Sequence, residues 1–244
     1  MIEHQLWADV CKLALGGVAF VLCGDFSQFP ACCECHVGRI VPEGALEQSH
    51  MIRDLSGGNI LTLTENMRSD QILFDFYTSL SGRPLAEALQ EARIRFPVTS
   101  RPATTIVISH ARRRYLNMRR NIAEKVPDAV FYRAQVTGKA GPQSMWLWPG
   151  LAVVGAGGAV KKGIFDTITH ATSEEVVLHS GTRLAAHQAV RSLRLASALT
   201  YPSVQGLTIP GVVRLDCTSS PHFTIRHLYV GSSRPTAHHL LEII

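Results

Sequence analysis

The chain is short of the features that mark several protein classes. It has no apolar run of the ~20 residues needed to cross a bilayer, so no membrane span is expected. Its opening residues, Met1-Ile2-Glu3-His4-Gln5-Leu6-Trp7, hold no basic stretch followed by an apolar block, and no secretory leader is expected. Cysteine is limited to Cys11, Cys23, Cys32, Cys33, Cys35 and Cys217, in no pattern of a disulfide framework. Free thiols of this kind suit a reducing interior, the nucleus or the cytoplasm. Internal repeats and low-complexity tracts are also missing. So is the Gly-x-x-x-x-Gly-Lys-Ser/Thr loop that cradles nucleotide phosphates. Gly138-Lys139-Ala140 lacks the hydroxyl residue after the lysine, and Arg133 stands where the first glycine belongs.

What is present fits one large or two small globular domains. The 244 residues are 46% hydrophobic and carry a formal charge of +5, a balance that suits a polyanionic partner without requiring one. Helical periodicity is read over 5–16, 69–80 and 84–93, and a basic helix over about 110–125. Apolar runs at 18–23, 60–64, 105–109, 195–201, 212–215 and 227–230 read as buried strands, with a last helix over about 235–242. Alternating strands and helices predict an α/β fold with a largely parallel sheet. Residues 129–187 differ: short β-rich runs and many glycines predict a small β insertion. The expected division is residues 1–98 and 99–244.

The richest segment is Val21-Leu22-Cys23-Gly24-Asp25-Phe26-Ser27-Gln28-Phe29-Pro30. A carboxylate and an amide follow an apolar run, where α/β proteins place ligands. It resembles motif III of superfamily 1 helicases, a Gly-Asp-x-x-Gln-x-Pro loop that couples nucleotide site and DNA track. Three further segments follow in the order of the PIF-type and RecD-like branch. Leu63-Thr64-Glu65-Asn66-Met67-Arg68 resembles the segment that sets an arginine against the γ-phosphate. Tyr201-Pro202-Ser203-Val204-Gln205-Gly206-Leu207-Thr208 resembles motif V, His-Lys-Ser-Gln-Gly-x-Thr, with Tyr201 and Pro202 in place of His and Lys. Val204 is of a type seen in viral and mobile-element relatives. Leu228-Tyr229-Val230-Gly231-Ser232-Ser233-Arg234 resembles motif VI, with Gly231-Ser232 replacing Ala-Leu. Arg234 is expected between a strand end and a helix start.

The resemblance implies a RecA-like fold of the P-loop NTPase type. It comprises the end of a first motor domain, then a second one interrupted by an SH3-like insertion, whose Pro149-Gly150 start follows Trp146-Leu147-Trp148. It implies an ATP- and magnesium-dependent 5′→3′ DNA helicase, acting on single-stranded DNA or a fork. Gln28, Arg68 and Arg234 would be catalytic, and Gly24, Asp25 and Gly206 would join them in holding nucleotide. Ser109, His110, Arg112, Ser203, Gln205, Thr208 and Trp146 would touch the DNA strand. The magnesium-binding Asp-Glu pair is missing along with the phosphate loop, so the expectation is a portion carrying motifs III to VI that hydrolyses no ATP and binds no cofactor alone.

Other readings compete. The chain could be a non-catalytic single-strand-binding remnant. Val153-Val154-Gly155-Ala156-Gly157-Gly158-Ala159-Val160 looks like a dinucleotide-binding turn with Glu175 about 20 residues on, but Val160 takes the third glycine's place. Cys32-Cys33-Glu34-Cys35-His36 offers zinc-type ligands too crowded to close a tetrahedron alone.

Overall fold

The computed structural model describes residues 4–29, 35–36, 39–40, 50–134 and 141–244. Cys32, Cys33 and Glu34 of the zinc reading, Pro30, and Gly138-Lys139-Ala140 lie outside the described residues. The chain divides into two compact units, residues 1–67 and 68–244. That division falls about 30 residues before the boundary expected near 98, because the helices just after Arg68 pack on the second unit's sheet and last helix.

In the first unit, α1 (His4–Leu15) ends at Gly16-Gly17 as periodicity predicts, and α2 spans His50–Leu55. A two-residue ladder joins β1 (Cys35–His36) to β2 (Arg39–Ile40). The expected strands at 18–23 and 60–64 are not formed: both runs are irregular, and among the described residues no strand pairs with either.

The second unit is α/β with a RecA-like sheet. Helices α3 (Gln71–Thr78) and α4 (Leu85–Arg95) precede β3 (Thr104–Val107) and α5 (His110–Ala123). With β11 (Ala198–Thr200), β12 (Val213–Leu215) and β13 (Leu241–Ile243), β3 forms a four-stranded, wholly parallel sheet in the order β11-β3-β12-β13. Both faces of such a sheet are covered, so most of its strand residues are buried, with Arg214 of β12 paired to Glu242 of β13. Ile106, Val107, Ala198, Val213 and Leu215 are buried, as are Leu73, Phe76, Ala88 and Ala92 of α3 and α4.

Between α5 and β11 lies the β-rich segment. A hairpin of β4 (Val130–Tyr132) and β5 (Met145–Leu147) precedes a five-stranded antiparallel sheet, order β10-β6-β7-β8-β9. Its strands are β6 (Ala152–Gly155), β7 (Phe165–Ala171), β8 (Glu175–Leu178), β9 (Arg183–Ala185) and β10 (Leu193–Leu195), with α6 (Ala186–Ser192) before the last. Met145, Leu147, Val153, Ile168, Val176 and Leu193 build a core of its own. The segment thus reaches Leu195 rather than 187, because β10 pairs with β6 and not with the parallel sheet.

Two elements near the C-terminus reverse the expected type. Residues 227–230 are not a strand but lie in α7 (Ile225–Ser232), and 235–242 is not a helix but a 3-10 turn (His238–Leu240) leading into β13. A short, fully apolar run reads the same in a buried helix as in a buried strand. Gly231 explains one departure from the motif VI pattern. A Cβ there would come within 2.6 Å of the Leu215 side chain and 3.0 Å of Tyr201, so only glycine lets α7 lie this close to the sheet.

Candidate functional site

All four parallel strands point the same way, so the segments after β3, β11 and β12 emerge at one edge of the sheet, the edge where α/β folds bind ligands. After β3, the side-chain oxygen of Ser109 accepts from the Arg112 N–H at 3.1 Å and caps α5. Arg112 is exposed and reaches across to the segment after β12, donating to Asp216 from Nε (3.0 Å) and Nη2 (2.9 Å). His110 is half-buried, and burial first, then Arg113 and Arg114, push its imidazole below its ordinary range.

After β11 the chain makes a 3-10 turn and then a tight turn. Gln205 has φ −57° and ψ 133°, Gly206 has φ +76°, and the Leu207 N–H returns to the Val204 carbonyl at 3.0 Å. This is a type II turn, whose third position favours glycine. Thr208 is exposed. Ser203 does not face outward: its hydroxyl donates to the Thr200 carbonyl (2.8 Å) and accepts from the Thr200 N–H (3.1 Å).

Arg234 departs most from expectation. It follows the carboxyl end of a helix rather than a strand, and its side chain is 1% exposed. Nε donates to the Val230 carbonyl (2.8 Å), Nη1 to those of Val204 (3.2 Å) and Leu207 (3.1 Å), and Nη2 to the Ser233 hydroxyl (2.7 Å). A helix's last carbonyls attract a cation, and a planar guanidinium can satisfy several at once. In this conformation Arg234 therefore ties the end of α7 to both ends of the Gly206 turn.

Arg68 is exposed. The residues beside it dock against the segment that follows Arg234. The Asp70 N–H donates to the Thr236 carbonyl (2.9 Å), and Oδ2 of Asp70 accepts from the N–H of His238 (2.7 Å) and meets its Nδ1 at 2.7 Å. Oδ1 of Asp70 caps α3 at Leu73. Burial alone would raise the Asp70 carboxyl, but these donors outweigh it and hold it below its ordinary value. Edge-on contact of Tyr77 with Tyr229 completes the joint.

In the first unit, Gln28 and Asp25 form a local loop. Asp25 accepts from the Ser27 N–H and from Nε2 of Gln28, both at 2.9 Å, and Gly24 beside them is exposed. Trp146 lies on β5, half-buried, with the Lys125 ammonium 4.2 Å from its ring centre and Phe131 beside it. The glycines of 155–158 turn between antiparallel strands, with no helix after them to receive a pyrophosphate. Among the described residues no three His, Cys, Asp or Glu side chains gather as a metal site, and no helix is long and apolar enough to cross a membrane.

Asp216, Asp70 and His238 were not anticipated. Asp216 had a legible signal, an acid directly after an apolar strand run. The Asp70–His238 pair spans 168 residues and had none.

No family model matches this chain, and no curated protein does. Its fold is found among solved helicases. A Pif1 helicase from Candida albicans superposes over 100% of this chain and 70% of its own, at 17% identity and a TM-score of 0.67. Bacteroides Pif1 in complex with ADP-AlF3 and single-stranded DNA matches 90% of this chain and 60% of its own, at 16% identity and a TM-score of 0.54. Bacteroides Pif1 bound to single-stranded DNA matches 75% and 51%, at 16% identity and 0.52. The fold of PIF-type helicases is therefore the fold of this chain, which spans about half to 70% of the length of these structures.

Proposed function

We propose that this chain is the part of an ATP-dependent 5′→3′ DNA helicase that carries motifs III to VI, and that by itself it binds single-stranded DNA without hydrolysing ATP. One observation carries the reading. Arg234 of the motif VI-like segment holds both ends of the motif V-like turn, 27 and 30 residues upstream. A segment expected to answer to nucleotide is thereby bolted to a turn expected to lie along DNA. The shared fold and the DNA-bound state of the Bacteroides neighbours support the same reading.

The residues here do not fit magnesium–ATP. There is no phosphate loop or Asp-Glu pair, and the Arg234 donors are engaged by backbone carbonyls and the Ser233 hydroxyl. Gln28 and Arg68 keep their proposed roles toward phosphate in the whole machine, Arg234 would take up its own only by releasing the bonds it makes here, and no chemical step is assigned to any of them in this chain. Toward DNA, the capped start of α5, exposed Thr208 and the Gly206 turn offer neutral and backbone donors to phosphates, and Trp146 offers a ring for a base. The missing phosphate loop equally favours a non-catalytic single-strand-binding remnant.

Fluorescence anisotropy with a labelled oligothymidylate tests the proposal. Binding is expected at low salt, with log affinity falling by about 0.7 per decade of salt for each phosphate contact. Phosphate release from ATP should stay at background with or without DNA. Absence of binding at low salt overturns the DNA claim, and DNA-stimulated ATPase overturns the claim about the isolated chain.

A further inference from the structure

Three buried polar side chains, Arg113, Asn117 and Asn121, line one face of α5 at four-residue spacing. Two of them are matched. Asn117 donates to the Ala198 carbonyl at 3.0 Å and accepts from its N–H at 2.7 Å. Asn121 does the same with Trp146, both bonds at 2.8 Å. Arg113, one turn nearer the helix start, is 7% exposed, and its Nε and Nη2 have no partner among the described residues. Those two atoms form the edge of the guanidinium that bridges a pair of oxygens.

Its neighbours do not supply the oxygens. Burial first, then the guanidinium groups of Arg194 and Arg114, push Arg113 down to about 10. Arg194, on β10, spends Nη1 on the carbonyls at the end of α6. Nδ1 of His110, in the first turn of α5, also has no partner among the described residues. The positive end of a helix is a poor place to bury a cation and a good place to bind an anion.

We propose that Arg113, Arg114 and Arg194, with the amino end of α5, seat a phosphoryl oxyanion between the parallel-sheet layer and the small antiparallel sheet. A tetrahedral oxyanion offers enough acceptors to engage several guanidinium groups, which one carboxylate cannot. Arg114, beside them, also lines an open groove of about 590 Å³ with Tyr115, Arg119 and Gln143, so one of the three guanidinium groups borders solvent-filled space. The oxyanion is either a backbone phosphate of a nucleic-acid strand or the phosphate of a small free molecule.

Inorganic pyrophosphate is the probe, titrated at constant ionic strength against chloride while the melting temperature is followed. The native chain should be stabilised by several degrees at millimolar pyrophosphate, and Arg113→Met should lose that shift while folding at least as stably without the anion. Equal shifts in both proteins, or none in the native chain, overturn the proposal. Should Arg113→Met fail to fold by circular dichroism, Arg194→Met with ³¹P line broadening of pyrophosphate decides: retained broadening overturns the site, and lost broadening supports it. An oligothymidylate added to the native chain separates the sources. Competition assigns a strand phosphate, and no competition assigns a free one. Retained oligothymidylate binding by Arg113→Met leaves the DNA-binding reading standing whichever way the pyrophosphate result falls.

Discussion

The runs 18–23 and 60–64 and the runs that become β3, β11 and β12 are made of the same residue types, yet they end in opposite environments. Val21, Leu61 and Leu63 are each more than nine-tenths exposed, whereas Ile106, Ala198 and Val213 are fully buried. Apolar β-branched residues are only permissive. A strand forms where its N–H and C=O groups find a ladder, and its side chains gain from burial only once that ladder exists. In residues 68–244 each of the runs has a parallel neighbour and helices over its faces. In residues 1–67 the described ladder is two residues long, and the apolar runs lie outside it. An unladdered apolar run is an aggregation hazard.

A charge placed in each region gives the largest contrast. Ile106→Asp buries a carboxylate in the middle of the parallel sheet and should cost ~4 kcal/mol or more, enough to leave residues 68–244 unfolded. Leu63→Asp should shift stability by no more than about 0.5 kcal/mol and should improve solubility. Urea titrations followed by circular dichroism compare them. Equal losses would mean that the run at 60–64 is enclosed after all.

The same contrast explains what the sequence makes legible. The helix over 110–123 is readable because Ser109 is a good cap and the residues behind it are good helix formers. The strand at 104–107 is readable from its run of β-branched residues, Thr104 to Val107, and that at 213–215 from the buried Val213 and Leu215 that flank Arg214. Leu228-Tyr229-Val230 offers the same signal and is helical, because Tyr77, Tyr201 and Leu215 are there to receive a helix face, and those residues are distant in sequence. The candidate site divides likewise. Gly206 announces its turn, since φ +76° favours glycine. The burial of Arg234 could not be read, because no spacing tells which way a guanidinium points. Arg113 hides for a related reason: a polar stripe on a helix reads as a solvated face until an opposing layer is seen.

A second contrast is in acid. Glu242, on β13, is buried and accepts from Nε (2.9 Å) and Nη2 (2.7 Å) of Arg214 and from the N–H groups of Thr99 (3.0 Å) and Ser100 (2.8 Å). Burial alone would raise its carboxyl, but these bonds hold it down at about 2. A carboxyl lowered on folding stabilises above its unfolded value and loses that contribution as pH falls toward the folded one, here from about 4.5 to about 2. The amount at stake is about 3 kcal/mol. Residues 68–244 should thus unfold steeply across that window, and Glu242→Gln should flatten the dependence while lowering stability at neutral pH. An unchanged acid profile in the variant would remove Glu242 as its source. His227 adds a step at higher pH. Burial pushes its imidazole down to about 4, and its Nδ1 accepts from the Thr224 N–H at 3.1 Å, so protonation on the way down from neutrality disfavours the fold.

The smallest perturbation reads the two regions without altering stability. Cys23 stands in the unladdered run and is exposed; Cys217 follows β12, half-buried, with φ +67°. Burial first, with Asp216 alongside, pushes the Cys217 thiol up, against weaker opposition from the Ile108 backbone and Arg112. Only the thiolate attacks an alkylating reagent, so both access and ionisation protect Cys217. Iodoacetamide labelling at neutral pH, mapped by peptide mass spectrometry, should modify Cys23 at least about tenfold faster than Cys217, and denaturant should erase the difference. Equal rates in the native chain would place the two thiols in comparable surroundings, and the distinction between a run with a ladder and a run without one would fail at its simplest readout.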